Sequence, residues 1–178
     1  DGVEINSDAV VWCQRDVTTR HPHFRFHHAN IFSEAYNRRG TMTASTYRFP
    51  FEARQFDFVF LGSVFTHLMP DDVANYLAEI GRVLKPGGTC VASHFLLDAD
   101  ARAGIAAGTS FMSFGFDDAS GRAKLHSLRV PEAAVAIDEP FIMEAYERAG
   151  LQLVNVRRGG HLGHQLVGGV ERVVEVRW

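Results

Sequence analysis

The sequence predicts an α/β protein whose mostly parallel, doubly wound sheet is covered by helices. Three observations carry that expectation. A nearly continuous apolar run, Phe56 to Leu61, suits a strand covered on both faces. Val73, Tyr76, Leu77, Ile80, Val83 and Leu84 then fall at helical spacing and form one apolar stripe. Lys85-Pro86-Gly87-Gly88 should end that helix sharply, and Thr89 to Phe95 reads as the next strand. Strand, helix and strand in this order make a βαβ unit with a right-handed crossover.

The other elements follow along the chain. Gly2 to Asn6 reads as a short strand end. Ser7 as N-cap and Asp8 in the first turn open a helix expected over Asp8 to Thr19. Val10, Val11, Trp12 and Val17 give it an apolar side, and His21-Pro22 stops it. Phe24, Phe26 and His28 alternate with Arg25 and His27, a strand pattern. Residues 33–49 are polar and read as a loop. Pro70 suits the first turn of the amphipathic helix, and Asp71 and Asp72 suit its positive end.

Residues 97–137 lack periodicity and read as an insertion or substrate cap. Phe111, Phe114 and Phe116 within it suit either a pocket wall or the small core of a cap. Asp138 is the expected cap of a helix over Glu139 to Ala149, ended by Gly150. Leu151 to Val156 alternates as a strand, and Val170 to Trp178 is the last one. The glycine-rich link between them, about a dozen residues, favours an antiparallel return of the last strand over another helical crossover.

A chain of 178 residues suits one domain, here with parts 1–96, 97–137 and 138–178. Apolar residues make up 46% and charged ones 22%, enough apolar surface to argue against disorder. The net charge of −3 supplies no basic field for nucleic acid. No apolar run is long enough to span a bilayer, and the first residues do not read as a charged-then-apolar signal segment. Cys13 and Cys90 make neither a disulfide framework nor a zinc spacing, and read as reduced core thiols of a cytoplasmic protein. His21, His23, His27 and His28 have no carboxylate or cysteine at zinc spacing, so no metal is expected. Arg157 and Arg158 beside Gly159-Gly160 suit an anion or, more simply, a solvated strand end.

In open parallel sheets, ligands bind beyond the carboxyl ends of the strands. The residues there are Glu4-Ile5-Asn6, Ala29-Asn30-Ile31, Gly62 to His67, and His94. A carboxylate such as Glu4 can accept hydrogen bonds from both hydroxyls of a ribose, though its position also suits a solvated surface glutamate. Asn30 can donate and accept against an adenine edge, or serve as a turn asparagine. Gly62-Ser63 would let backbone approach a ligand closely, or simply turn the chain.

The run Phe56-Asp57-Phe58-Val59-Phe60-Leu61-Gly62-Ser63-Val64-Phe65-Thr66-His67-Leu68, with Glu79-Ile80-Gly81-Arg82-Val83-Leu84-Lys85-Pro86-Gly87-Gly88, resembles the class I S-adenosylmethionine-dependent methyltransferases. More narrowly it resembles their small-molecule, ubiquinone-biosynthesis-like branch. Gly2-Val3-Glu4-Ile5-Asn6 resembles that family's second strand. The resemblance implies a Rossmann-like fold, S-adenosylmethionine as cofactor and a small-molecule acceptor. It implies that Glu4 binds the cofactor ribose. It places Ile5, Asn30, Ile31, Gly62 and Ser63 around the cofactor, with Asn30 standing where the family often has an acid.

The family pattern also implies a strand and a glycine-rich loop ahead of residue 1. The chain is therefore expected to be a fragment, with two bare strand edges, an apolar gap and poor cofactor binding in isolation. Gly159-Gly160-His161-Leu162-Gly163 opens no expected helix and is no substitute. Methyl transfer relies on alignment, and some enzymes add a general base. His67, just past a strand end, is the candidate base, although a structural histidine at a helix start has the same position. His94 is a second candidate. A rival reading is a non-catalytic binding module built on a degenerate version of the fold.

Overall fold

The computed structural model describes residues 1–158 and 171–178. The glycine-rich stretch from Gly159 to Gly163 lies outside them.

The chain starts with a two-stranded parallel ribbon, β1 (Gly2–Glu4) and β2 (Phe26–His28). Helix α1 (Ser7–Trp12) joins them and continues as a π-helical turn, Cys13–Thr18. Its cap is Asn6 rather than Ser7: the Asn6 side chain accepts from the N–H groups of Asp8 and Ala9 at 2.9 and 3.1 Å. An asparagine one residue earlier reaches the same orphan donors.

The remaining strands form a seven-stranded sheet. β3 (Phe56–Leu61) is followed by α2 (Pro70–Val83) and β4 (Leu84–Leu97), and β3 and β4 pair in parallel. The helix stops just before Lys85 to Gly88, as expected, and the ladder with β3 skips these residues, jumping from Leu84 to Thr89 with Gly87 at a positive φ. Helix α2 passes directly into β4, which is twice the expected length. β4 is the spine of the sheet. β3 and then β7 (Val135–Asp138) take successive stretches of one edge in parallel, and β9 (Glu171–Arg177) runs antiparallel on the other. β8 (Gln152–Arg158) flanks β9, again antiparallel. The antiparallel last strand thus appears as the short link predicts.

Segment 97–137 is more ordered than its sequence suggests. It contains α3 (Ala99–Ala106), β5 (Phe116–Asp117) and β6 (Ala123–Leu125). β5, β6 and β7 extend the sheet as an antiparallel meander, so the sheet is mixed. Phe114 is buried with Phe95, Leu97 and Ala101, while Phe111 and Phe116 are exposed. The phenylalanines therefore split between a small local core and solvent.

Helices cover both faces. α2 and α4 (Glu139–Arg148) pack on the face carrying Cys90, Ala92 and Leu96. A side chain at Gly81 of α2 would collide with the Ala149 carbonyl oxygen, so glycine sets how closely the helices approach. α3 packs on the opposite face, over Phe95 and Leu97. Asp138 does not cap α4 through its side chain; it pairs with Arg102 of α3 instead.

One expectation for β3 fails. Its run of apolar residues suits burial on both faces, but Phe58 and Phe60 are 57% and 67% exposed. Val59 and Leu61 point to the α2 side, whereas no helix covers the other side of β3 among the described residues. β1 and β3 share no ladder, and a cavity lies between them.

Candidate active site

The cavity has a volume of about 880 Å³ and reaches from the β1–β3 gap to the carboxyl ends of both strands. That is ample for a nucleoside-sized ligand together with a small acceptor. Glu4, Ile5, Ile31, Gly62, Ser63 and His67 all line it. Asn30 is not among the lining residues; its Nδ2 donates to Thr41 Oγ1 at 2.9 Å.

Each wall has a local cause. Glu4 ends β1, and its Oε1 accepts the Asn6 N–H at 2.8 Å, which ties the carboxylate to the strand-to-helix turn. A carboxylate offers about four acceptor positions, so capacity remains for hydroxyl donors. Across the cavity, Ser63 adopts the left-handed backbone region (φ 55°). Non-glycine residues enter that region at a cost, and such strain gathers at functional turns. Its N–H donates to Ser93 Oγ at 2.7 Å, which fixes the turn to β4.

His67 lies in the single 3-10 turn after β3, Phe65–His67. Its Nδ1 is 2.8 Å from the carbonyl oxygen of Glu132. A carbonyl can only accept, so Nδ1 carries the proton and the lone pair is on Nε2. The Tyr36 hydroxyl is 3.2 Å from Nε2 and 3.3 Å from Nδ1. Burial holds the Asp72 carboxyl above the usual range, helped by the nearby Asp71 and Glu132 charges and opposed by the Met69 N–H.

The electrostatics are one-sided. Glu4, Asp72 and Glu132 line the cavity, with no Lys or Arg among the described lining residues; Asp1 lines it too, but its carboxylate is paired with Arg25 at 3.2 Å. Such a cavity favours cations over anions.

His94 is elsewhere. It is 1% exposed, stacked on Phe65, and its Nε2 lies 2.7 Å from Tyr146 Oη. Burial pushes its pKa down to about 3, so the ring is neutral. It does not line the cavity.

Sequence reasoning did not find Tyr36, Asp72 and Glu132 as lining groups. Tyr36 sits in an aperiodic loop, and Glu132 acts on His67 through its main chain, which no residue type reveals. Asp72 could be recognised only as a favourable first-turn residue.

Comparisons with known proteins agree with this architecture. Residues 2–92 match the family described as methyltransferase domain. An S-adenosylmethionine-dependent methyltransferase from Mesorhizobium loti superposes with a TM-score of 0.62 at 14% identity, over 99% of this chain and 79% of that one. One from Methanosarcina mazei gives 0.59 at 16% identity, over 99% and 80%. The 1,6-didemethyltoxoflavin-N1-methyltransferase of Burkholderia thailandensis, solved with 1,6-didemethyltoxoflavin and S-adenosylhomocysteine, gives 0.54 at 18%. That match covers 98% of this chain, which spans 59% of the Burkholderia protein. The chain belongs to the methyltransferase-domain family and has the fold of the class I S-adenosylmethionine-dependent methyltransferases.

Proposed function

We propose that the protein transfers a methyl group from S-adenosylmethionine to a small-molecule acceptor. The observation that carries this reading is the convergence of Glu4 and Ser63, from separate strands, on one acid-lined cavity. When bound, S-adenosylmethionine supplies an electrophilic methyl group on a sulfonium.

The residues present fit that cofactor. The cavity lacks cationic lining residues and has carboxylates on its walls, which suits a sulfonium. The Glu4 carboxylate accepts from the ribose hydroxyls, with Ile5 beside it. Ile31 bounds the adenine end, and Asn30 behind it holds Thr41 rather than the cofactor. Gly62 and the strained Ser63 turn bring backbone up to the ligand. Holding both reactants in line supplies much of the rate. His67 accepts the acceptor's proton at Nε2, the nitrogen that the Glu132 carbonyl leaves unprotonated.

Calorimetry of the full-length protein with S-adenosylmethionine and S-adenosylhomocysteine tests the reading. Saturable heat with both is expected. A folded sample that gives heat with neither would favour a non-catalytic module instead.

A further inference from the structure

We propose that Tyr36 and His67 together form the acceptor-binding end of the cavity, and that this end takes a neutral or cationic acceptor with an O–H or N–H at its nucleophilic atom. The proposal rests on the methyl-transfer reading and specifies its substrate class.

Three chain segments meet here. Tyr36 comes from the loop after β2, His67 from the turn after β3, and Glu132 from the short 3-10 turn Pro131–Ala133 before β7. All three line the cavity. The phenol ring of Tyr36 stands edge-on to the imidazole, with centroids 5.1 Å apart. Its hydroxyl is almost equidistant from the two ring nitrogens, so it rests against the side of the ring between them. It therefore leaves the in-plane lone pair of Nε2 free for a third group. A proton-bearing atom placed there donates to Nε2 and lies beside the Tyr36 hydroxyl, which can donate or accept.

A second observation points to the same class of ligand. Glu132 Oε2 is buried with no hydrogen-bond partner among the described residues. A buried carboxylate oxygen needs a donor, and none of the described cavity-lining residues is a Lys or Arg. A carboxylate or phosphate would bring a further negative charge to a wall that already holds Asp72 and Glu132. During transfer the acceptor's O or N forms its bond to the methyl carbon and passes its proton to His67 Nε2. The carbon–sulfur bond breaks with its electron pair left on sulfur, giving the neutral thioether.

The test uses the full-length protein and two readouts. First, ¹⁵N NMR of the histidine side chains should show His67 as the Nδ1–H tautomer. An Nε2–H tautomer overturns the proposal. Second, phenol, primary-amine and carboxylic-acid fragments are screened by saturation-transfer NMR in the presence of S-adenosylhomocysteine. Phenols or amines should bind and acids should not. Tyr36→Phe should weaken the bound fragments by about fivefold, the value of one hydrogen bond, with S-adenosylhomocysteine affinity unchanged. His67→Gln should weaken them at least as much, with the same melting temperature. Preferential binding of acids, or fragment affinity indifferent to both substitutions, overturns the proposal alone. Absence of S-adenosylhomocysteine binding to the wild type overturns the parent reading and this one with it.

Discussion

His94 and Tyr146 meet in the middle of the core, Nε2 to Oη at 2.7 Å, from a central strand and a helix that the sheet carries on one face. Both residues are at most 2% exposed. A side chain with such a buried partner, and no opening to the cavity, serves the fold rather than the chemistry. His94 Nδ1 is also buried with no partner among the described residues, so any protonation there would leave a buried charge uncompensated.

Acid should therefore unfold the protein through His94. Its folded pKa lies near 3, below the 6.5 of an exposed histidine, because burial disfavours the charged ring. The unfolded state thus binds the extra proton first. The His94 contribution is complete above about pH 6.5 and declines as pH falls towards 3, by up to about 1.4 kcal/mol per pH unit. Urea titrations between pH 7 and 5 should show this slope. If His94→Gln keeps the same slope, another group is responsible.

Removing the partner should also be costly. Tyr146→Phe strands a buried ring nitrogen and is expected to lose about 1–3 kcal/mol. Chemical denaturation at pH 7.5, where His94 is neutral in both states, isolates this loss from the titration. A change below about 0.3 kcal/mol would mean that the hydrogen bond contributes little.

Gly81→Ala should be more damaging than its small volume suggests. The new methyl meets the Ala149 main chain, so α2 and α4 must move apart. Overpacking of this kind typically costs about 1–3 kcal/mol, although alanine is the better helix former. A thermal melt equal to or above the wild type would show that the helices can separate freely.

Glu4→Ala should weaken S-adenosylhomocysteine binding by about tenfold or more, as expected for hydrogen bonds to a charged group. Fold stability should change little, because the carboxylate is exposed and its Oε1 bond is local. Calorimetry gives the affinity, and unchanged affinity would remove Glu4 from the ribose.

The sequence made the central βαβ unit legible because the α2 stripe keeps a clear helical period between two short apolar runs of strand length. The antiparallel last strand was also readable, from link length alone. β7 was hidden for a physical reason. Val135-Ala136-Ile137-Asp138 is only four residues, three of them buried, so it has neither alternation nor length. It forms because β4 continues to Leu97 and offers a further stretch of edge. The burial of β3 was misjudged because an apolar run records what a strand can tolerate, not what lies against it. Among the site residues, Glu4 and Gly62-Ser63 could be named from their places after strands. Tyr36 could not, since a loop aromatic takes its place in the cavity wall only when the fold brings His67 beside it.

Glu4 sits on a ribbon whose backbone ladder is self-contained, three residue pairs long. Such a piece can open without disturbing the seven-stranded sheet, and amide exchange at Gly2–Glu4 should outpace that at Cys90–Phe95. A ligand gripping Glu4 on one bank and the Ser63 turn on the other would fasten two cooperative units into one. Occupancy would then register as slower exchange in the ribbon, a footprint that can be measured without any methyl group changing hands.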